Sequence, residues 1–422
     1  MELTRKMKKR IFRIVNILAL ALPAFPAMAQ DAIGFEEFLS LVAEKNAGYL
    51  AEKYNVGIAE ANVQAAKVFN DPELSVGYSN NQDWNLRMGQ SFETGLSYSM
   101  SLGNVRGARI KAAKTEMSVT EEAVADYFRN LKAEASMAYA DAWAASRKAG
   151  IFREAYENMS RVASGDSLRL AAGDINVTDA MQSAMEARRV RNEWLASVSE
   201  SRNAVAALSS FVGGMTILSV TEDLIAPTLD PETSLIDLQR AAVENRSDLR
   251  VADLSRKLSE DNLRLVKASR AMDITMNVGY TRSSEVRNEI APAPRFNGVS
   301  AGVTIPLKFS SANRGEYSAA KTAALQSDKL YEEAVVRVNV EVEQAYNAYV
   351  SSLEIMNSYV GSILEDAAKI LENRMFGYGK GETGLLELLE AQRSYNEVMS
   401  SYIDACADFF RARMDVDRAV GL

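Results

Sequence analysis

"YGKGETGLLELLEAQRSY", residues 378–395, sets Gly379, Gly381 and Gly384 into a run that otherwise has an unbroken helical pattern, then places Glu387 and Glu390 three residues apart. Residues at i and i+3 share one helical face, here beside the apolar seam of Leu385, Leu388 and Leu389. The spacing predicts a helix that reverses at the glycines and returns with two acids on one side. The same device occurs earlier, in "AAGDINVTDAM" at 171–181, where Gly173 precedes Asp179.

Working outward, the eight prolines leave 73–226 and 307–422 free of this residue, the strongest helix breaker. Within the first stretch Val124, Tyr127, Leu131, Ala135, Ala138, Ala142, Ala145, Ala149, Phe152, Tyr156 and Met159 follow in steps of three and four, the pattern of a coiled-coil seam. A helix from about Gly107 to Ala172 would be on the order of 100 Å long at 1.5 Å per residue.

The segments near the prolines alternate instead. Leu74, Val76 and Tyr78 face one way, with Ser75, Gly77 and Ser79 between them. Phe92, Leu96, Tyr98, Met100 and Leu102 alternate with Gly95, Ser97, Ser99 and Ser101. The same holds for Ile274, Met276, Val278 and Tyr280, and for Val299, Ala301, Val303, Ile305 and Leu307. These are strands with one apolar and one small polar face, predicted at about 73–80, 92–102, 273–281 and 298–307. About ten residues is the length of a transmembrane barrel strand, for which lipid outside and water inside explain both faces.

The chain also repeats itself. "EKNAGYL" (44–50) answers "VENRSDL" (243–249), "ANVQAAK" (61–67) answers "DNLRLVK" (261–267), and "VGYS" (76–79) answers "VGYT" (278–281). "RGARIKAAK" (106–114) answers "RGEYSAAK" (314–321), and the two glycine turns complete the series. The expected organisation is a first repeat at 30–212, a linker at 213–234 and a second repeat at 235–422. The fold class is mainly α with a small β part, built on a duplicated strand–strand–long helix unit.

Residues 1–29 read as a secretory signal peptide: basic residues, an apolar run from Ile11 to Leu22 and the exit Ala27-Met28-Ala29. Its removal takes six basic residues and one acid, so the formal charge of −8 becomes −13. An acidic surface argues against nucleic acid as a partner. Cys406 is the only cysteine, which precludes an intrachain disulfide; with Gln30 rather than a cysteine directly after Ala29, an N-terminal lipid anchor is not expected. Cys406 is expected as a buried core thiol, and Met181 and Met185 as core filler rather than copper ligands. Histidine is absent, so a Ser-His-Asp or Cys-His catalytic arrangement cannot be built and the usual metal-ligand clusters are excluded. No enzyme activity, cofactor or bound metal is expected.

Four strands cannot close a barrel, and an open edge cannot face lipid; three copies would supply twelve strands. The duplicated order of elements and both glycine turns resemble the outer membrane efflux protein (TolC-like) family over essentially the whole chain after the signal peptide. The resemblance implies a trimer in the outer membrane of a Gram-negative bacterium. It would form a twelve-stranded β-barrel continued by a periplasmic α-helical barrel, working with an adaptor and an inner-membrane transporter. It also implies that Gly173, Gly379, Gly381 and Gly384 form tip turns that dock the adaptor. Gly173 with Asp179, and Gly381 with Glu387, fit the family pattern of a glycine followed six residues later by an acid. By resemblance Glu387 and Glu390 ring the closed entrance, while Tyr378 and Asp179 stand where inter-helix gate bonds form. Thr383 occupies the place of a family arginine that latches the gate, so the latch here differs. The stretch "NDPELSVGY" (70–78) resembles the heavy-metal efflux branch. A duct for type I protein secretion is the alternative within the family, and a periplasmic coiled-coil scaffold without a pore is the alternative of another class.

Overall fold

The computed structural model describes residues 32–81, 87–217, 219–221, 224, 228–230, 233–307 and 312–422. The predicted signal peptide and part of the predicted linker lie outside these residues.

Helices α1 (Phe35–Lys45) and α2 (Ala47–Lys67) precede strands β1 (Glu73–Asn80) and β2 (Gln90–Ser101). The 68-residue α3 (Val105–Ala172) and the returning α4 (Val177–Phe211) follow. The order then recurs: α5 (Leu235–Asn245), α6 (Ser247–Ser269), β3 (Asp273–Ser283), β4 (Phe296–Thr304), α7 (Ala312–Ser358), α8 (Leu364–Lys380) and α9 (Leu385–Val420). A π-helical turn at Tyr359–Ile363 separates α7 from α8, so the second long helix is interrupted where the first is not. Even the break after the first helix recurs. Asn46 and Arg246 both take extended backbone, and the Asn46 side chain caps α2 by accepting the Tyr49 N–H. Among the described residues no helix is long and apolar enough to cross a membrane.

Chain contacts define two compact units, each drawn from both halves of the sequence. One contains the chain up to Lys45, Ala138–Leu224 and Ile370–Ile403; the other contains Asn46–Met137, Ile225–Lys369 and Asp404–Leu422.

The second unit holds the sheet, antiparallel throughout, in the order β1-β2-β3-β4. Register brings directly opposed residues onto one face. One face carries the rows Leu74–Leu96–Val278–Ala301 and Val76–Thr94–Tyr280–Val299. The other carries Ser75–Gly95–Gly279–Ser300 and Glu73–Ser97–Asn277–Gly302, with Ser99 and Thr275 hydroxyls 2.6 Å apart. The strands therefore separate apolar from small polar side chains as their alternation predicts. The apolar face is uncovered: Leu74 is 72 % exposed and Val299 79 %. Both edge strands, β1 and β4, have one unpaired side in this chain.

The helical core of this unit packs α5 and α7 against the end of α9, through Leu238, Ala242, Val338, Val342, Tyr349 and Phe409. Beside it, buried Arg246 grips Asp248 with two nitrogens at 2.6 and 2.8 Å, reaches Glu341 at 2.7 Å and donates to the Ala419 carbonyl. Arg129 donates to the Arg418 carbonyl at 2.6 Å. Two guanidinium groups thus occupy the carbonyls left free at the end of α9. Partnered this way, a charge as deeply buried as Arg246 is tolerable; removing one partner would leave it uncompensated.

Three expectations change. The buried arc of α3 is wider than one seam: Tyr139, Trp143, Ala144, Ile151 and Ala155 are buried beside Ala135, Ala142 and Met159, while Tyr127 is exposed. Neighbours on more than one side bury more than one stripe. Cys406 is half-buried rather than a core thiol, because the fully buried stripe runs through Ile403, Ala407, Phe410 and Met414. Met181 and Met185 are exposed at 68 % and 64 %, on the side of α4 away from buried Ser183, Ala187 and Val190.

Candidate functional site at the helix turns

The first unit contains both glycine turns, around a core of Ala155, Met159, Ala187, Val190, Leu371, Leu385, Leu388 and Leu389. The apolar seam beside Glu387 and Glu390 is therefore the inner face of this bundle.

Each turn closes its outgoing helix in the same way. Gly173 has φ +84° and Gly381 φ +76°, the left-handed region where a Cβ is penalised. The Asp174 N–H bonds the Arg169 carbonyl and the Gly173 N–H the Leu170 carbonyl. In the second turn the Glu382 N–H bonds the Gly377 carbonyl and the Gly381 N–H the Tyr378 carbonyl. This is the Schellman arrangement, which satisfies carbonyls at a helix end. Of the four glycines expected to reverse the chain, these two do so by conformation. Gly379 lies within α8 and Gly384 just before α9, neither with a positive φ.

The glycine that sequence reasoning missed is Gly377, buried on α8. A Cβ there would lie 2.3 Å from the Thr383 hydroxyl oxygen and 3.3 Å from its Cβ. Thr383 therefore packs against the helix it has just left, and only glycine leaves room for it.

The returning helices start differently. Asn176 caps α4: its side-chain oxygen accepts the Asp179 N–H at 2.8 Å, and its amide donates to the Asp179 carboxylate at 2.7 Å. Gly384 holds the corresponding place before α9 and has no side chain to offer. Glu387 instead accepts from Arg374 on α8 at 2.5 Å. This pair is half exposed and contributes about 0–1 kcal/mol. Glu390, one turn on, is exposed and makes no side-chain hydrogen bond or ion pair among the described residues.

Tyr378 reaches across to α3. Its hydroxyl lies 2.8 Å from both carboxylate oxygens of Asp166, which is almost wholly buried. The Arg169 guanidinium stands 3.8 Å from Asp166 and 5.5 Å from the centre of the Tyr378 ring. Burial first, then the negative charge of Asp166, push the Tyr378 hydroxyl well above the ordinary tyrosine range, so it remains a donor. The inter-helix bond of Tyr378 thus goes to Asp166, while the carboxylate of Asp179 is held by Asn176. No sequence signal marked Asp166, which looks like one more polar residue on a long helix. A second buried acid, Glu186 on α4, takes Arg189 at 2.6 Å and Arg393 of α9 at 3.1 Å. These hydrogen bonds, Arg189's foremost, hold its carboxyl below the usual range against the opposing effect of burial. Among the described residues no three His, Cys, Asp or Glu side chains gather to hold a metal ion.

Residues 238–422 match the family model described as outer membrane efflux protein. The chain is similar to the cobalt-zinc-cadmium resistance protein CzcC of Cupriavidus metallidurans, 23 % identical over 415 residues that cover 94 % of this chain and 92 % of that one. Among solved structures, CusC superposes with a TM-score of 0.76 at 18 % identity, covering 92 % of each chain. A membrane protein of Pseudomonas aeruginosa gives 0.74 at 19 % identity, covering 92 % of this chain and 90 % of that one.

Proposed function

We propose that this chain, whose residues 238–422 match the model of the outer membrane efflux protein family, is the outer-membrane exit duct of a tripartite efflux pump. In this reading it is a homotrimer with a periplasmic helical portion that meets an adaptor and, through it, an inner-membrane transporter. The observation that carries the reading is the sheet: an uncovered apolar face, a small polar face and two open edges. Unpaired edge amides are too costly in lipid for four strands to span a membrane alone. Three copies joined β4 to β1 leave no edge, enclose the Ser, Gly and Thr rows around water, and turn the apolar rows to lipid. A poreless scaffold offers no reason for such a sheet.

The arrangement is testable at two adjacent residues of β2. Leu96→Arg, on the apolar face, should cost about 2–4 kcal/mol near mid-bilayer and block outer-membrane assembly, whereas Ser97→Arg should assemble. Equal behaviour of the two in a fractionation assay for heat-sensitive trimers would refute the barrel.

In the same reading the cargo is a divalent metal cation, as the likeness to CzcC and the "NDPELSVGY" strand suggest, and the turns at Gly173, Gly379, Gly381 and Gly384 dock the adaptor. Glu387 and Glu390 ring the entrance, with Tyr378 and Asp179 beside them. Arg374 makes the two acids unequal, since it offsets Glu387 and leaves Glu390 as the larger source of field. In planar bilayers, periplasmic block by a trivalent cation should weaken more in Glu390→Gln than in Glu387→Gln, and most at low salt. Block unchanged in both would place the gate elsewhere. Cells carrying the duct and its pump should lose resistance to zinc, cobalt or cadmium with Leu96→Arg; loss of drug or protein export alone would identify another cargo.

A further inference from the structure

At the foot of β2, where the sheet meets the helices, the chain forms an open cleft of about 420 Å³. Phe69, Tyr98 and Met100 give it apolar walls; Arg106 and Arg109 of α3 stand over it. Tyr98 belongs to the uncovered face of the sheet, opposite Met276, which in turn opposes Val303. The apolar surface therefore runs from the sheet directly into the cleft and ends there at two cations.

Neither cation is used up. Arg106 donates its Nε to the Lys67 carbonyl at 2.7 Å and lies 4.0 Å over the Phe69 ring. Arg109 donates to the Ala66 and Val68 carbonyls. Each guanidinium has five N–H donors, and neither forms an ion pair among the described residues. Most of their donors and both charges thus remain available. The hydroxyl of Ser101, a lining residue, is buried without a hydrogen-bond partner among the described residues.

We infer that this cleft binds the phosphodiester headgroup of a glycerophospholipid, in the leaflet nearest the helices. Guanidinium groups recognise phosphate through paired N–H donors, and basic residues bordering an apolar surface lie at the depth of headgroups. The volume suits a phosphate and glycerol; the acyl chains would continue along Tyr98, Leu96 and Leu74. The inference rests on the reading of the sheet as membrane-spanning.

The test is native mass spectrometry of the detergent-purified full-length protein titrated with dioleoyl phosphatidylglycerol, against dioleoylglycerol as the phosphate-free control. Wild-type protein should retain the phospholipid, and the control should bind on the order of tenfold more weakly. R106Q/R109Q keeps a donor for the helix-end carbonyls but deletes both charges, and should fall to the control level; R106K/R109K keeps both charges but loses the paired N–H donors, and should fall between wild type and the control. Retention unchanged in the Gln pair, or loss as complete in the Lys pair, would overturn the site. Displacement of the lipid by millimolar inorganic phosphate would also overturn it, in favour of a free-anion site. Should the Gln pair fail to fold by circular dichroism, Phe69→Ala carries the decision: it spares both arginines but removes the apolar floor, and unchanged retention would refute the inference. Wild-type protein that stays in solution without detergent would sink the barrel reading with it; a membrane protein that binds both lipids equally would sink this inference alone.

Discussion

The two turns share a backbone and differ in what dresses it. Residues 208 apart correspond, as Gly173 and Gly381 do. The left-handed glycine, the two closing hydrogen bonds and the first bond of the returning helix recur in both. In the first turn a capping Asn176 holds Asp179 locally. In the second, Gly384 replaces the cap and Glu387 pairs with Arg374, whose counterpart in the first half is Asp166, the partner of Tyr378. Backbone geometry survived the divergence of the halves because few conformations reverse a helix in four residues. The side chains were free to acquire a local clasp on one side and cross-links between helices on the other.

The sharpest way to break this comparison lies at Gly377. Gly377→Val would press its Cβ on Thr383 and should cost about 1–3 kcal/mol, with most of it recovered in the Thr383→Gly background. The corresponding position in the first half is Arg169, which already carries a side chain. Thermal unfolding of the detergent-purified protein, followed by circular dichroism, checks this; a melt unaltered by Gly377→Val would deny the close approach.

Tyr378→Phe probes the cross-link. It leaves the buried Asp166 carboxylate with Arg169 and no hydroxyl donor, a loss of about 1–3 kcal/mol. Leu170, the counterpart of Tyr378, has no such bond to lose, so Leu170→Ala should act through packing alone. If pairing Tyr378→Phe with Asp166→Asn costs as much as the two separate losses combined, the residues are not coupled.

The smallest effects lie at the caps. Asn176→Ala should lose about 1 kcal/mol, whereas Gly384→Asn should gain a few tenths by giving the second turn the clasp of the first. A new cap should also draw Glu387 from Arg374, so the coupling between those two, measured by a double-mutant cycle, should shrink. Undiminished coupling would show that the cap does not choose the partner.

The strand faces and the glycine turns were legible because each is a local pattern. A period of two sorts Leu96 from Ser97, and a glycine followed six residues later by an acid, as in Gly173 with Asp179 and Gly381 with Glu387, marks each reversal. The interruption at Tyr359–Ile363 was not legible in this way: "YVGSI" has a glycine but no acid six residues beyond it, and it fits an ordinary helix as well as a π turn. Gly377 escaped notice for the opposite reason: nothing in its own segment needs glycine, and the need comes from Thr383, after the turn.

Sequence alone determined the element order, the two reversal points and which side of each strand is apolar, because propensity and periodicity act over a few residues. Tertiary structure decided the partners. Tyr378 found Asp166 on a helix more than two hundred residues earlier, Glu387 found Arg374, and Arg246 found the carbonyl of Ala419. Such pairings depend on the rotation and axial offset of one helix against another. Those are set by the packing of the whole bundle, which no single segment encodes.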